Sequence, residues 1–149
     1  MKTVFRSAVL FLTLGSSFTF SAGKSSTEVL AHSTTSWDGT LLKSVTLENP
    51  EVRVLRITIA PRSRLPIHKH PVINAGYLVK GELTVIRLSD GKQLNLKAGD
   101  ALVEMVDEWH YGVNTSDEPA EIVVVYAGDE GQAITVFKEE EEEEEEEEQ

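Results

Sequence analysis

"AGYLVKGELTVIRLSDGKQLNLKAGD", from Ala75 to Asp100, is the stretch whose reading decides the fold. Three short runs of aliphatic and β-branched residues are cut by Gly81, by Asp90-Gly91 and by Ala98-Gly99-Asp100. Runs of that length bounded by turn residues predict strands, not helices. Asp90-Gly91 is a dipeptide that tight hairpins favour, because both central residues of such a turn need positive φ. "ELTVIRL" is therefore expected to fold back on "QLNLK". The pattern continues on both sides. In "EVRVLRITIAP", Val52, Val54 and Arg56 alternate with Arg53, Leu55 and Ile57, and "ALVEMV", "AEIVVVYAG" and "AITVF" supply further strands. No stretch carries a helical period of useful length. Many short strands with turns between them predict an all-β sandwich or small barrel over residues 24–138, a span long enough for its own core.

The two ends read differently. Lys2 and Arg6 precede an apolar run from Ala8 to Leu14, and Ser21-Ala22-Gly23 supplies small residues. That order predicts a signal peptide over residues 1–23, too short to span a bilayer, and hence an exported, periplasmic or secreted protein. There is no cysteine, so no disulfide framework holds the fold. Residues 139–149 hold ten consecutive glutamates, Glu139 to Glu148, expected to be a disordered acidic tail. The net charge of −11 resides mostly there; without the tail and the leader the remainder is near neutral. With no basic stripe, nucleic acid is excluded as a partner.

The chemistry concentrates in four histidines. His68 and His70 are two apart, so on a strand both rings share a face, and two imidazoles on one face can chelate a cation. Pro66 and Pro71 bracket the pair, which predicts an edge or rim segment. His110 lies in "GDALVEMVDEWHYGVN", and His32 fits no pattern.

Spacing across these two blocks resembles the two signature motifs of the cupin superfamily. The first is commonly written G-x5-H-x-H-x3-4-E-x6-G and the second G-x5-P-x-G-x2-H-x3-N. His68, His70 and Gly81 fit the first; Gly99, His110 and Asn114 fit the second. "TTSWDGT", "RITIAP", "HKHPV", "EWHYGVN" and "VVVYAG" look like exported bacterial single-domain members. Three positions depart from the pattern. Arg62 replaces the first motif's leading glycine, Met105 and Asp107 replace the second's proline and glycine, and Asn74 stands at the glutamate position. The resemblance implies a double-stranded β-helix (jelly-roll) barrel of six to eight strands. Its metal would be a divalent transition ion (Fe, Mn, Ni, Cu or Zn) held by His68, His70 and His110.

Asn74 leaves three readings open. The site has three histidines, with Asn74 orienting water or ligand beside the metal. Or Glu104 supplies the missing carboxylate, if its face of the strand Ala101 to Val106 points inward. Or the metal is lost and the histidines only line a pocket. Trp109 and Tyr111 flank His110 and by strand parity point away from it, as packing at the barrel mouth or as an aromatic wall. Tyr77 is expected in the core with its hydroxyl near the cavity, and Trp37 as an anchor for the N-terminal strand. The function implied is an exported metal-binding cupin, with a dioxygenase acting on a small organic or phenolic substrate as the enzymatic reading. The alternatives are a binding protein for a sugar, small acid or metal, and an interaction protein working through its acidic tail. Family members also dimerise through edge strands, so a homodimer is expected.

Overall fold

The computed structural model describes residues 23–139. The leader expected at 1–23 therefore lies outside the described residues except for Gly23, and the acidic run outside them except for Glu139. Ten strands form: β1 (Pro50–Ile59), β2 (Ser63–Arg64), β3 (His68–Lys69), β4 (Ile73–Lys80), β5 (Glu82–Arg87), β6 (Gln93–Lys97), β7 (Ala101–Val103), β8 (His110–Asn114), β9 (Ala120–Asp129) and β10 (Val136–Phe137). Among the described residues there is no helix, and none long and apolar enough to cross a membrane. One sheet runs β1-β9-β4-β7; the other runs β10-β3-β8-β5-β6, with β2 also on β8. All pairings are antiparallel, in an all-β jelly roll.

The count exceeds the six to eight strands expected because short segments replace long ones. Pro66 lacks an amide hydrogen for the ladder, so the chain around His68 is divided into the two-residue strands β2 and β3. For the same reason β3 is not an edge strand: its two residues lie between β10 and β8, and both prolines fall outside the pairing. "ALVEMV" pairs only from Ala101 to Val103, and "AITVF" only at Val136–Phe137.

The hairpin of the opening stretch forms as expected, with Glu82↔Lys97 through Ile86↔Gln93 in register. Its loop is longer than a two-residue turn, since Leu88 to Lys92 lie between the strands and only Gly91 there has positive φ, at 71°. Gly81 joins β4 to β5 at φ 78°, and a Cβ there would lie 2.9 Å from both the Ala120 Cα and the Pro119 carbonyl oxygen. Two other residues, Arg62 at φ 50° and Asp107 at φ 58°, hold left-handed backbone without being glycine.

Alternation along β9 divides inside from outside. Ile122, Val124 and Tyr126 point inward, while Val125 stands exposed. Core side chains come from both sheets, among them Ile59 and Leu78 from one and Leu83, Val85 and Leu96 from the other. Burying an aliphatic side chain of this size is worth about 1.5–3 kcal/mol, which lets the barrel fold without disulfides. Tyr77 is not in this core. It pairs with Val123 on the sheet's outer face and is 37% exposed, because its neighbours Gly76 and Leu78 take the inward positions.

Candidate metal centre

His68 and His110 are directly opposed Cα partners where β3 meets β8, so the pairing itself brings their rings together. His70 follows two residues on, from the same face. The three ring centroids are 4.5, 5.0 and 5.2 Å apart, and one nitrogen from each ring lies within 4.8 Å of the other two. All three are buried.

Each ring is held by a backbone oxygen. The Nδ1 atoms of His68, His70 and His110 lie 2.7, 2.8 and 2.8 Å from the carbonyls of Pro66, Ile134 and Glu108. A carbonyl only accepts, so each Nδ1 carries the proton and each Nε2 keeps its lone pair. Burial lowers the basicity of all three imidazoles, most clearly for His70, which falls to about 4; for His68 and His70 a neighbouring ring's charge adds to this. The rings are neutral at pH 7 and present three lone pairs to one point. Neutral imidazole with its other nitrogen on a carbonyl is the form that ligates metals.

Asn74 and Glu104 complete the polar part of the wall. The Asn74 amide donates to the Val72 carbonyl at 3.2 Å, but its Oδ1 is buried with no donor. An orphaned acceptor is costly to bury, and a cation or a water bound to one would satisfy it. The donor set thus fits a divalent transition metal: three imidazole nitrogens and an unsatisfied amide oxygen in one cavity. Glu104 does face inward, which its sequence context left open. It lies just past β7, and its Oε1 accepts from the Trp37 indole at 2.8 Å and the Met105 amide at 2.9 Å. Burial pushes its carboxyl up, against the pull of those two donors and of His68. It stands outside the group of mutually close ligand atoms.

The cavity holds about 210 Å³. Its remaining wall is chiefly aliphatic, with Tyr126, Thr135 and Phe137 closing one side. Tyr77, Trp109 and Tyr111, the expected pocket aromatics, do not line it. Trp109 and Tyr111 point away, as parity required, and stack under Lys69 and Arg64. Sequence reasoning missed Tyr126 and the β10 segment. Tyr126 was readable, because the alternation of "AEIVVVY" sets it on the same face as Ile122 and Val124. The Ile134 carbonyl that holds His70 leaves no mark in the sequence, since any residue carries one. Trp37 anchors the N-terminal segment through its amide bond to the Val103 carbonyl, and its indole reaches the site. His32 is exposed and apart from the site.

Comparison with known proteins agrees with this geometry. Residues 55–126 match the family described as Cupin domain. No curated protein sequence matches the chain significantly. Among solved structures, Lactobacillus farciminis oxalate decarboxylase in a formate complex superposes with a TM-score of 0.50 at 24% identity, covering 58% of this chain and 26% of that one. The DMSP lyase DddQ of Ruegeria pomeroyi gives 0.51 at 21%, covering 58% and 43%. The polyketide cyclase RemF of Streptomyces resistomycificus gives 0.50 at 18%, covering 62% and 64%. The chain spans less than two thirds of each of these proteins, and at such identities the likeness is one of fold. Barrel, histidine cluster and family match together make the chain a member of the cupin superfamily, with its cupin domain at residues 55–126.

Proposed function

We propose that this cupin binds one divalent transition metal through His68, His70 and His110, and is a metal-dependent oxygenase for a small organic substrate. The observation that carries the reading is the common orientation of the three rings. Each Nδ1 is bonded to a backbone carbonyl, so three lone pairs are fixed facing one another in a buried cavity. Such lone pairs repel unless a cation lies between them. When bound, the metal would supply Lewis acidity and, if redox-active, oxygen chemistry. The chain's own contribution is orientation and exclusion. The Pro66, Glu108 and Ile134 carbonyls fix the tautomers, and Asn74 Oδ1 offers an acceptor to water or ligand. Aliphatic walls keep bulk water from the reacting groups.

Metal content by mass spectrometry tests this on the full chain, on a chain lacking Glu139 to Glu148, and on His68→Ala and His110→Ala. About one transition-metal ion per chain should persist without the tail and vanish in both histidine variants. Metal that survives both substitutions, or a chain that cannot be loaded, refutes the reading. Oxygen uptake against a panel of small phenols, lost in His110→Ala, tests the reaction class.

Two further properties belong to the same proposal. Export rests on Lys2, Arg6, the apolar run and Ser21-Ala22-Gly23; N-terminal sequencing of an exported form should begin near Lys24. A homodimer would use a sheet face instead of a strand edge. Val54, Val125, Ala75 and Val103 form one continuous apolar row across β1, β9, β4 and β7, with Arg56 and Glu121 paired beside it. A second copy meets no unpaired like charge there. Sedimentation should show a dimer that Val54→Glu with Val125→Glu converts to monomer.

A further inference from the structure

Glu104 is the one charged side chain in the cavity wall, and no lysine or arginine lines it. Both protein donors to its carboxylate, the Trp37 indole and the Met105 amide, converge on Oε1. Oε2 accepts no hydrogen bond from the protein, and it is not sealed off like Asn74 Oδ1. It is thus an acceptor open to the cavity that Glu104 lines. The donors available to a ligand are neutral: the hydroxyls of Tyr126 and Thr135. An anionic ligand would meet a carboxylate and find no basic side chain to offset its desolvation, which is several kcal/mol for a buried ion. A hydroxyl or amino group would find Oε2 as its partner. The volume is below the ~300–1,000 Å³ of drug-sized sites, so the ligand is about one ring in size.

We infer that Glu104 is a specificity residue, held by Trp37, which selects a small apolar substrate bearing a hydroxyl or amino donor and rejects carboxylates. This rests on the reading of the cavity as a substrate site, and it narrows the substrate to the class of phenols, alcohols and amines. It runs against small organic acids such as oxalate.

The test uses three probes that share one ring: benzyl alcohol, benzylamine and benzoate. Binding to the full chain is measured by calorimetry, as purified and after chelation, with metal content recorded in parallel. Benzyl alcohol or benzylamine should bind at least tenfold more tightly than benzoate in both states. Glu104→Gln keeps an oxygen for Trp37 and Met105 but presents an NH₂ where Oε2 was. It should bring that ratio to about unity or invert it, with an unchanged circular dichroism spectrum. Trp37→Phe, which frees Oε1 and the ring's position, should weaken the preference without reversing it. Benzoate binding as tightly as the other probes in either state overturns the inference. So does a preference that Glu104→Gln leaves intact, or the absence of binding by all three. A donor preference that survives in a chain unable to hold metal would refute the metal reading and leave this one standing.

Discussion

Gly81→Ala is the substitution for which the structure gives the clearest magnitude. Gly81 turns the chain from β4 into β5 at φ 78°. Any L-residue there costs about 1–2 kcal/mol for left-handed backbone. The new methyl would lie 2.9 Å from the Ala120 Cα and 2.9 Å from the Pro119 carbonyl oxygen, both backbone atoms that cannot rotate away. Forcing them apart adds about 1–3 kcal/mol, by analogy with overpacked cores. Alanine returns about 0.4–1 kcal/mol by restricting the unfolded chain. The net loss is roughly 2–4 kcal/mol. Gly91→Ala is the matched control, because Gly91 has φ 71° but a Cβ would meet nothing within 4 Å. It should lose only about 0.5–1 kcal/mol. Urea unfolding followed by the fluorescence of Trp37 and Trp109 measures both. If the two variants fall within about 0.5 kcal/mol of each other, the steric argument for Gly81 is wrong.

Three other outcomes follow from particular contacts. Asn74→Asp places a carboxylate beside three neutral imidazoles; it should destabilise the metal-free chain by at least ~2 kcal/mol and tighten zinc binding at least ~tenfold, read as opposite shifts in Tm without and with zinc. Trp37→Phe strips a donor from buried Glu104 and should cost about 1–2 kcal/mol, unless the indole bond contributes nothing to folding. Burial alone would raise the Asp38 carboxyl, but the Thr40 amide, the Ser36 and Thr40 hydroxyls and the Arg87 guanidinium together hold it at about 2. A depressed carboxyl stabilises the fold above its unfolded value near 3.8, and that stability is lost as pH falls towards about 2. Asp38→Asn should therefore flatten the acid limb of the stability curve by ~1 kcal/mol, measured by unfolding at pH 5 and pH 2.5.

Much of the site was legible because spacing survives when individual residues change. Arg62 and Asp107 stand where the two motifs would have glycine, and the structure gives both of them the left-handed backbone that glycine would adopt. The turns are kept at some conformational cost. The Asp107 amide still reaches the His70 carbonyl at 2.8 Å, and Arg62 pairs with Asp117 across the turn at 2.6 Å. Strand parity correctly sent Trp109 and Tyr111 outward. It could not place Glu104, because β7 ends at Val103 and the next residues leave the ladder on which parity depends. Tyr77 was misplaced for a related reason. A strand with apolar residues on both faces gives no sign of which face is inside, and here the small residue Gly76 takes the inward position against Leu102 and Ile122. The Trp37–Glu104 bond joins residues 67 apart, beyond the reach of any local pattern.

The three carbonyls that orient the histidines belong to Pro66, Glu108 and Ile134, and the last of these arrives late in synthesis. A growing chain that has already paired β3 with β8 has His68 and His110 opposed, but nothing yet fixes the tautomer of His70. That waits for the turn at Gly131 and for β10 to dock on β3. Ion capture is thereby placed after the barrel has closed, and a truncated or stalled product carries two ligands in position and a third without its anchor.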